Sequence, residues 1–245
     1  MGPLTWLDEN SLAFPDTELA LEDPNGLLAV GGDLSLERLV TAYAQGIFPW
    51  FSDGQPILWW SPDPRMTLSP SDLHIGRTLR KLLKKRQFRI TCDTAFEEVI
   101  QACAETPRNE DAGTWITDEM MDAYTDLHEA GFAHSVEAWQ EDTLVGGLYG
   151  VSLGKAFFGE SMFSRVSGAS KVAFATLATQ LKQWEFEVID CQVQTDYLAS
   201  FGAKDISRAE FEAKLKGTIP NFDSADQLST FDWIQHWTMP DFGCD

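Results

Sequence analysis

The clearest sign of the fold lies in residues 134–164, HSVEAWQEDTLVGGLYGVSLGKAFFGESMFS. Three apolar segments follow one another here, at 134–140, 143–152 and 155–163. They are separated only by Glu141-Asp142 and by Gly154, which suit tight turns. The stretch therefore predicts three consecutive strands joined by short connections.

The residues that follow predict a helix and a further strand. Residues 168–184 have the length and apolar content of a long helix, and 187–193 indicate a strand. Three strands, a helix and a strand predict a mixed sheet with helices packed on it. This order resembles the core of the N-acetyltransferase superfamily, which implies an α+β fold class in which the mixed sheet is flanked by helices.

Residues 48–65, FPWFSDGQPILWWSPDPR, combine aromatic side chains with turn-forming residues. Five aromatic residues fall within the first thirteen positions, and the prolines and glycine exclude a long helix. The three tryptophans form either a packed hub or a rigid pocket, and composition alone leaves both open. Three prolines between 62 and 70 indicate a boundary between a small N-terminal domain, 1–66, and a second, acetyltransferase-like domain, 67–245.

Composition excludes several classes of protein. The chain has 245 residues, 44% of them hydrophobic, and no apolar run nears the roughly 20 residues that span a bilayer. The N-terminus lacks the features of a secretory signal. Four widely spaced cysteines indicate neither a zinc site nor a disulfide framework. We expect a reduced, cytoplasmic protein with no membrane association.

Charge is distributed unevenly along the chain. Seven of the eighteen Lys and Arg lie in residues 77–89, so the rest, with eleven basic and 38 acidic residues, carries a net charge of −27. Apolar residues at helical spacing predict an amphipathic helix that starts at Ser71 or Asp72 and presents its basic face outward. That face is either a contact for a polyanion or a solvated surface. The acidic remainder could also reflect a salt-rich habitat.

Polar side chains interrupt two of the apolar strands. Period-two alternation places Glu160 between Phe158 and Met162 on one face of its strand. A carboxylate there needs a ligand or a partner, for which Arg165 and Lys171 are candidates. In the second strand, Asp190 and Gln192 share a face and either orient one ligand group or form a hydrogen-bonded strand end, while Cys191 on the other face is expected in the core.

Segments along nearly the whole chain resemble the leucyl/phenylalanyl-tRNA–protein transferases. They occur in the order NGLLAVGGDLS, GIFPWF, ILWWSPDPR, GTWIT, AHSVE, LVGGLYGV, FFGESMFS, ASK and IDCQV. The resemblance implies transfer of Leu or Phe from a charged tRNA to the N-terminal Arg or Lys of a protein, which marks that protein for degradation. The expected partners are therefore aminoacyl-tRNA and acceptor proteins, with a monomer as the default state.

The resemblance also implies roles for individual residues. Asp190 and Gln192 would lie at the reaction centre, and Glu160 would help to position the 3′-terminal adenosine. The aminoacyl pocket would be formed by Trp50, Trp115, Ser164, Leu148, Phe157 and Leu177. Arg77 and Lys84 match basic positions that contact tRNA, and the same helix carries Arg80, Lys81 and Lys85. Tyr197 stands where the family often has His, which leaves the details of tRNA affinity open.

The chemistry expected for this reaction needs no metal or nucleotide cofactor. An aminoacyl ester is already activated, and an α-amine with a pKa of about 7.7 to 8.0 is partly neutral near pH 7. Two other classes remain possible from the sequence. An acyl-CoA-dependent N-acetyltransferase is suggested by the partial pyrophosphate-loop match at 165–170, in which Ser170 departs from the pattern. A noncatalytic tRNA- or protein-binding module is the other.

Overall fold

The computed structural model describes residues 4–106, 116–219 and 230–242. A four-stranded sheet forms the N-terminal part, in the spatial order β1-β2-β4-β3. Its strands are β1 (Thr5–Leu7), β2 (Leu27–Gly31), β3 (Phe48–Pro49) and β4 (Leu58–Trp60). The aromatic segment thus supplies two short strands and the turn between them.

A seven-stranded mixed sheet forms the larger part, in the order β11-β5-β10-β9-β8-β7-β6. Its strands are β5 (Arg65–Leu68), β6 (Arg89–Cys92), β7 (Ala133–Gln140), β8 (Thr143–Leu153), β9 (Ala156–Ser164), β10 (Val188–Gln192) and β11 (Lys204–Ile206). Strand β10 is parallel to β9, and the other neighbouring pairs are antiparallel. The predicted run of three strands and the predicted strand at 187–193 are confirmed, each within one residue of the expected ends.

Helices cover both faces of this sheet. They are α1 (Leu36–Ala44), α2 (Arg77–Lys85), α3 (Phe96–Ala104), α4 (Asp118–Glu129), α5 (Ala169–Gln183), α6 (Asp196–Ala199), α7 (Arg208–Thr218) and α8 (Trp233–His236). Buried residues of α1, α3, α4 and α7 share one apolar cluster, which the aromatic segment joins. Helix α5 lies in a second cluster on the opposite face, with Trp233 of α8. The predicted mixed sheet flanked by helices is confirmed.

Strand β5 ties the N-terminal part to the large sheet. It runs across residue 66, pairs with β10 on one side and pairs with β11 on the other. The division of the chain into domains at that residue remains a prediction.

The basic helix begins later than the sequence suggested. Residues Pro70–Asp72 form a separate 3-10 turn, and α2 starts at Arg77 after Gly76. The amide of His74, between these elements, donates to the carbonyl of Phe201, so this part of the chain is held to another loop instead of continuing the helix. The expected start at Ser71 or Asp72 is therefore wrong, although the amphipathic character of the helix is confirmed.

An irregularity in β9 changes which residues share a face. The pairing of β8 with β9 shifts register between Tyr149 and Gly150, which places an extra residue in β9 near Glu160. As a result, Phe158 packs in the first cluster and Met162 against the second. The prediction that both share a face with Glu160 is wrong, because a bulge breaks the period-two alternation.

Within the described ranges of the chain, the helices are all too short or too polar to cross a membrane.

Candidate active site

The centre of the site is a buried ion pair between two strands of the large sheet. Arg65 on β5 donates from Nε to Oδ1 of Asp190 at 2.8 Å and from Nη2 to Oδ2 at 2.7 Å. Their side chains are 0% and 1% exposed. Because the fork of the guanidinium matches the two carboxylate oxygens, this bidentate geometry fixes the orientation of Asp190 as well as its charge.

Gln192 is held at an irregular end of β10. Its φ of +61° lies in the left-handed region, which is uncommon for a residue with a side chain. The pairing of β10 with β5 shifts between Asp190 and Gln192. The backbone amide of Gln192 donates to Oδ1 of Asp190 at 2.9 Å. The carboxylate thus stabilises the turn that carries the Gln192 side chain.

Glu160 receives the side chain of Gln192. Nε2 of Gln192 donates to Oε1 of Glu160 at 3.0 Å, and the hydroxyl of Tyr124 donates to Oε2 at 3.0 Å. When Glu160 is ionised it only accepts, so this contact directs the amide NH₂ of Gln192 toward Glu160 and leaves the side-chain carbonyl oxygen of Gln192 for another donor. Asp190, Gln192 and Glu160, which were predicted separately on two strands, form one hydrogen-bonded group.

Neither of the cations proposed for Glu160 from the sequence is its partner. Arg165 pairs with Glu105 at 3.6 Å, and Lys171 lies over the ring of Tyr197 at 5.6 Å. The suggestion of a salt bridge is therefore wrong. Both residues follow the end of the strand, and their side chains are directed to other partners.

Burial governs the protonation of Glu160. Removal from water raises its pKa from 4.5 to about 7, and the charge of Asp190 adds to the rise, while hydrogen bonds from Tyr43, Tyr124 and Gln192 oppose it. The two tyrosine hydroxyls are hydrogen-bonded to each other. Burial and the nearby Glu160 hold the pKa of both tyrosines well above the ordinary value. The tyrosines stay neutral, so Glu160 is the member of this hydrogen-bonded set that can change charge near pH 7.

Cys191 belongs to the core, as predicted. It is buried in the cluster that contains Ile189 and Phe157. Burial raises the pKa of its thiol far above the ordinary value, with a smaller contribution from Asp190. A thiol held in its protonated form is not a nucleophile.

The tryptophans of the aromatic segment divide between the packed core and the surface, and the pocket that the sequence left open remains a prediction. Trp59 is fully buried and donates to the carbonyl of Gly31 at 2.8 Å, as a hub residue does. Trp50 is 47% exposed and lies 5.6 Å from the ring of Trp60, whose indole N–H donates to the carbonyl of Trp50. Trp50 is thus held by its backbone and its neighbour while one side of the ring stays open.

The other residues expected in the pocket are placed less directly. Leu148, Phe157 and Leu177 are buried together in the second cluster. Ser164 is exposed, and its hydroxyl donates to the carbonyl of Val166 and accepts from the amide of Ser170 at the start of α5. Trp115 lies outside the described residues. Neither the buried group nor Ser164 has a hydrogen bond or ring contact with Trp50 among the interactions seen in the described residues.

The basic residues of α2 lie on its exposed side. Arg77, Arg80, Lys81, Lys84 and Lys85 are all exposed, whereas Leu83 is buried and fixes the helix to the body. A cleft of about 290 Å³ borders the C-terminal half of the helix and is lined by Lys84, Arg86 and Arg89 over an apolar floor. This cleft lies at α2 and α5, away from the Asp190–Gln192 pair. The prediction that α2 presents its basic side chains outward is confirmed.

Two family models match the chain in succession. One, described as the leucyl/phenylalanyl-tRNA protein transferase N-terminal domain, matches residues 32–63, and the other, described as leucyl/phenylalanyl-tRNA protein transferase, matches residues 67–216. The chain belongs to the leucyl/phenylalanyl-tRNA–protein transferase family.

Relatives of this transferase cover almost its whole length. It is 58% identical over 243 residues to the leucyl/phenylalanyl-tRNA–protein transferase of Saccharophagus degradans, covering 99% of both chains. It is 60% identical to that of Nitrosospira multiformis, over 95% of this chain and 99% of the relative. The protein is therefore an enzyme of the aminoacyltransferase class, as the sequence predicted.

Likeness to solved structures is much weaker. The transferase resembles the structure of L-PGS from Bacillus licheniformis with 11% identity and a TM-score of 0.39, over 74% of this chain and 62% of that one. A GCN5-related N-acetyltransferase from Kribbella flavida also matches with 11% identity and a TM-score of 0.36, over 69% and 60% of the two chains. Likenesses at this level carry no inference about the site.

Sequence reasoning about the transferase missed Arg65. It is the last residue of the SPDPR segment, where the prolines drew attention to a boundary. A signal was present, because Asp190 sits in an apolar strand and a cation is one of the partners that can compensate a buried carboxylate. The partner itself lies 125 positions away, and spacing within the chain does not identify it.

Proposed function

We propose that this transferase moves Leu or Phe from charged tRNA to the N-terminal Arg or Lys of acceptor proteins and so marks them for degradation. We further propose that it acts as a monomer in the cytoplasm. The observation that carries the proposed site is the hydrogen-bonded group of Asp190, Gln192 and Glu160, which combines a fixed anion, an oriented amide and a carboxyl that titrates near pH 7.

Gln192 is proposed to orient the attacking amine. Its Nε2 is engaged by Glu160, so its carbonyl oxygen can accept an N–H of the acceptor's α-amine. The amine nitrogen then forms a bond to the ester carbonyl carbon, and the bond to the ribose 3′-oxygen breaks. Holding amine and ester in this geometry can supply up to about 7–11 kcal/mol of the acceleration.

Glu160 is proposed to transfer the proton that the attacking amine loses. A carboxyl with a pKa of about 7 can take the proton that the amine loses and return it to the departing 3′-oxygen. Asp190 is less suited to this step, because both of its oxygens are held in the bidentate ion pair with Arg65, whereas Glu160 forms no ion pair among the described residues. We therefore assign Asp190 the role of holding Gln192.

The aminoacyl side chain is proposed to enter an apolar pocket that includes Trp50, Trp115 and Ser164, with Leu148, Phe157 and Leu177 behind its surface. Such a pocket accepts Leu and Phe alike and rejects charged side chains. It distinguishes among apolar side chains only modestly, since one methylene changes binding by about 1–3 kcal/mol.

The tRNA stem is proposed to lie along α2. Arg77, Arg80, Lys81, Lys84 and Lys85 form the exposed cationic face of that helix on an otherwise acidic chain. Phosphates bound there would release counterions, and binding would weaken steeply with added salt.

An acyl-CoA substrate is disfavoured by the hydrogen bonding at the start of α5. A pyrophosphate bound there would need free backbone N–H groups. Two of these amides already have acceptors, since Ala169 donates to the carbonyl of Val166 and Ser170 donates to the hydroxyl of Ser164. Titration with acetyl-CoA in a calorimeter checks this rival, which predicts micromolar binding.

The direct test supplies labelled leucyl-tRNA and a peptide that begins with Arg. We expect transfer by the wild type, a large loss for Asp190→Ala and for Gln192→Ala, and no loss for Asp142→Ala at an exposed turn. A peptide identical except for an N-terminal Ala should accept little label. If both site variants transfer at the wild-type rate, the assignment of the site is wrong; if the wild type binds tRNA but transfers nothing, the protein is a binding module.

A further inference from the structure

Arg65 joins three parts of the chain that are distant in sequence. Besides its two hydrogen bonds to Asp190 on β10, its guanidinium carbon lies 4.7 Å from the ring centre of Phe48 on β3 and 4.7 Å from that of Phe211 on α7. The side chain is 0% exposed. The charge is thus held by aromatic rings and by one carboxylate, with no exposure to water.

This arrangement restricts both the position and the tilt of the guanidinium that contacts Asp190. A planar group held against two rings has little freedom to tilt, and its bidentate contact transfers that restriction to the carboxylate. Lysine at this position would keep the charge but offer a single flexible ammonium in place of the planar fork.

The restriction continues from Asp190 to the reaction centre. Oδ1 of Asp190 accepts from both Nε of Arg65 and the backbone amide of Gln192. That amide belongs to a residue with φ of +61°, so the left-handed turn depends on an acceptor in this position. A change in the direction of the carboxylate would move the turn, and with it the Gln192 side chain that contacts Glu160.

We propose that Arg65 is a positioning residue of the transferase. Through Asp190 it holds the left-handed turn at Gln192, and it thereby directs the side-chain carbonyl oxygen of Gln192 toward the attacking amine. The inference rests on the proposed role of Gln192 in the reaction. It assigns to Arg65 no contact with tRNA or with the acceptor.

Steady-state kinetics of Arg65→Lys give the first test. The variant keeps a buried positive charge but loses the planar guanidinium. We expect kcat to fall on the order of 100-fold, which is the effect of a small misplacement of reacting groups, while KM for leucyl-tRNA changes less than threefold. Arg38→Lys is the matched control, since Arg38 is also 0% exposed and pairs with a carboxylate, Asp33, at 3.1 Å. An equal loss in both variants, or a rise in KM alone, overturns the proposal.

A second test combines changes that act on the same group. If Arg65 works through Gln192, then Arg65→Lys should lower kcat less than threefold further in a Gln192→Ala background. If the fold-losses in kcat of the two single variants instead multiply in the double variant, Arg65 acts independently of Gln192 and the proposal is overturned. The variant Arg65→Met with Asp190→Leu removes both buried charges together, so that a folded protein is available even where an unpaired charge prevents folding. Because Gln192 is then no longer positioned, we expect the addition of Gln192→Ala to lower its kcat less than threefold further.

Hydrogen exchange gives a readout that does not need activity. The amide of Gln192 donates to Asp190 in the wild type, so its exchange, followed by ¹⁵N NMR, should be at least tenfold faster in Arg65→Lys and unchanged in Arg38→Lys. Unchanged exchange in Arg65→Lys overturns the positioning of the turn. A wild type that transfers no leucine, with faster exchange in Arg65→Lys, would instead refute the proposed function and leave the structural link intact.

Discussion

Replacing Glu160 by Gln removes a charge that folding disfavours while keeping a side chain of the same shape. In the folded protein the pKa of Glu160 rises from 4.5 to about 7, chiefly because the carboxyl is removed from water. The unfolded chain therefore loses this proton first as the pH increases. Below about pH 4.5 both states are protonated and the group has no effect, whereas above about pH 7 the ionised carboxylate destabilises the folded state in full.

The size of the effect follows from the two pKa values. At about 1.4 kcal/mol per pKa unit, a rise from 4.5 to about 7 corresponds to about 3 kcal/mol. Most of it develops between pH 5 and pH 8, where the free energy of unfolding of the wild type should fall by ~2.5 kcal/mol on account of this one group. Gln has no proton to lose, so the stability of Glu160→Gln relative to the wild type should increase by that amount over the same interval.

Urea denaturation of both proteins at pH 5, 6, 7 and 8 measures this difference. Comparing the proteins at each pH cancels the titration of all other groups. Glu98→Gln, at an exposed position on α3, is the control and should run parallel to the wild type. Parallel curves for Glu160→Gln and the wild type between pH 5 and pH 8 would refute the raised pKa and the proton role that depends on it.

Three further predictions concern the site and the tRNA surface. Tyr124→Phe removes a hydrogen bond that lowers the pKa of Glu160, so the ionisation of Glu160 seen in the pH dependence of kcat should move to higher pH; a profile that stays in place or moves to lower pH would contradict this. Trp50→Ala should weaken selection of the leucyl and phenylalanyl groups and lower kcat/KM by a factor that corresponds to about 1–3 kcal/mol. Trp6→Ala, at a 71% exposed position, is the control and should have no effect. Equal kcat/KM for Trp50→Ala and the wild type would show that Trp50 is not part of the pocket. Replacing Arg77, Lys81 and Lys84 together by Ala should reduce the slope of log affinity for tRNA against log salt by about 2 to 3, and the same change at Lys182, Lys214 and Lys216 on α5 and α7 should not; an unchanged slope in the first variant would exclude the basic helix as a tRNA contact.

The sequence predicted regular elements well where the pattern was long and local. Strands β7 to β10 and helix α5 were found within one residue of their ends, because apolar runs and turn residues determine them together. Strands β5 and β11 were missed. They have four and three residues, and each is stabilised by pairing with a strand far away in the chain. A short strand of that kind has no periodicity of its own to detect.

The candidate site was predicted by residue type but not by geometry. The isolated polar residues Glu160, Asp190 and Gln192 could be found because each stands in an apolar strand. Their contacts depend on two departures from regular pairing, the bulge near Glu160 and the left-handed turn at Gln192. Alternation along a strand cannot predict either departure. The candidate salt bridges of Glu160 to Arg165 and Lys171 were wrong for the same reason, since both are neighbours in sequence and the actual partners are brought in by the fold.

The distribution of charge suits two substrates of opposite sign. A tRNA is a polyanion, and outside residues 77–89 the chain has a net charge of −27, so nonspecific contact with tRNA is repelled except at α2. Under the proposed function the acceptor begins with Arg or Lys, so its N-terminus carries positive charge and would be attracted by the same acidic surface. Added salt should therefore raise KM for both substrates, although only tRNA binding should depend on α2. The proposed reaction would benefit from such a separation, because a uniformly basic surface would bind tRNA everywhere and repel a cationic acceptor.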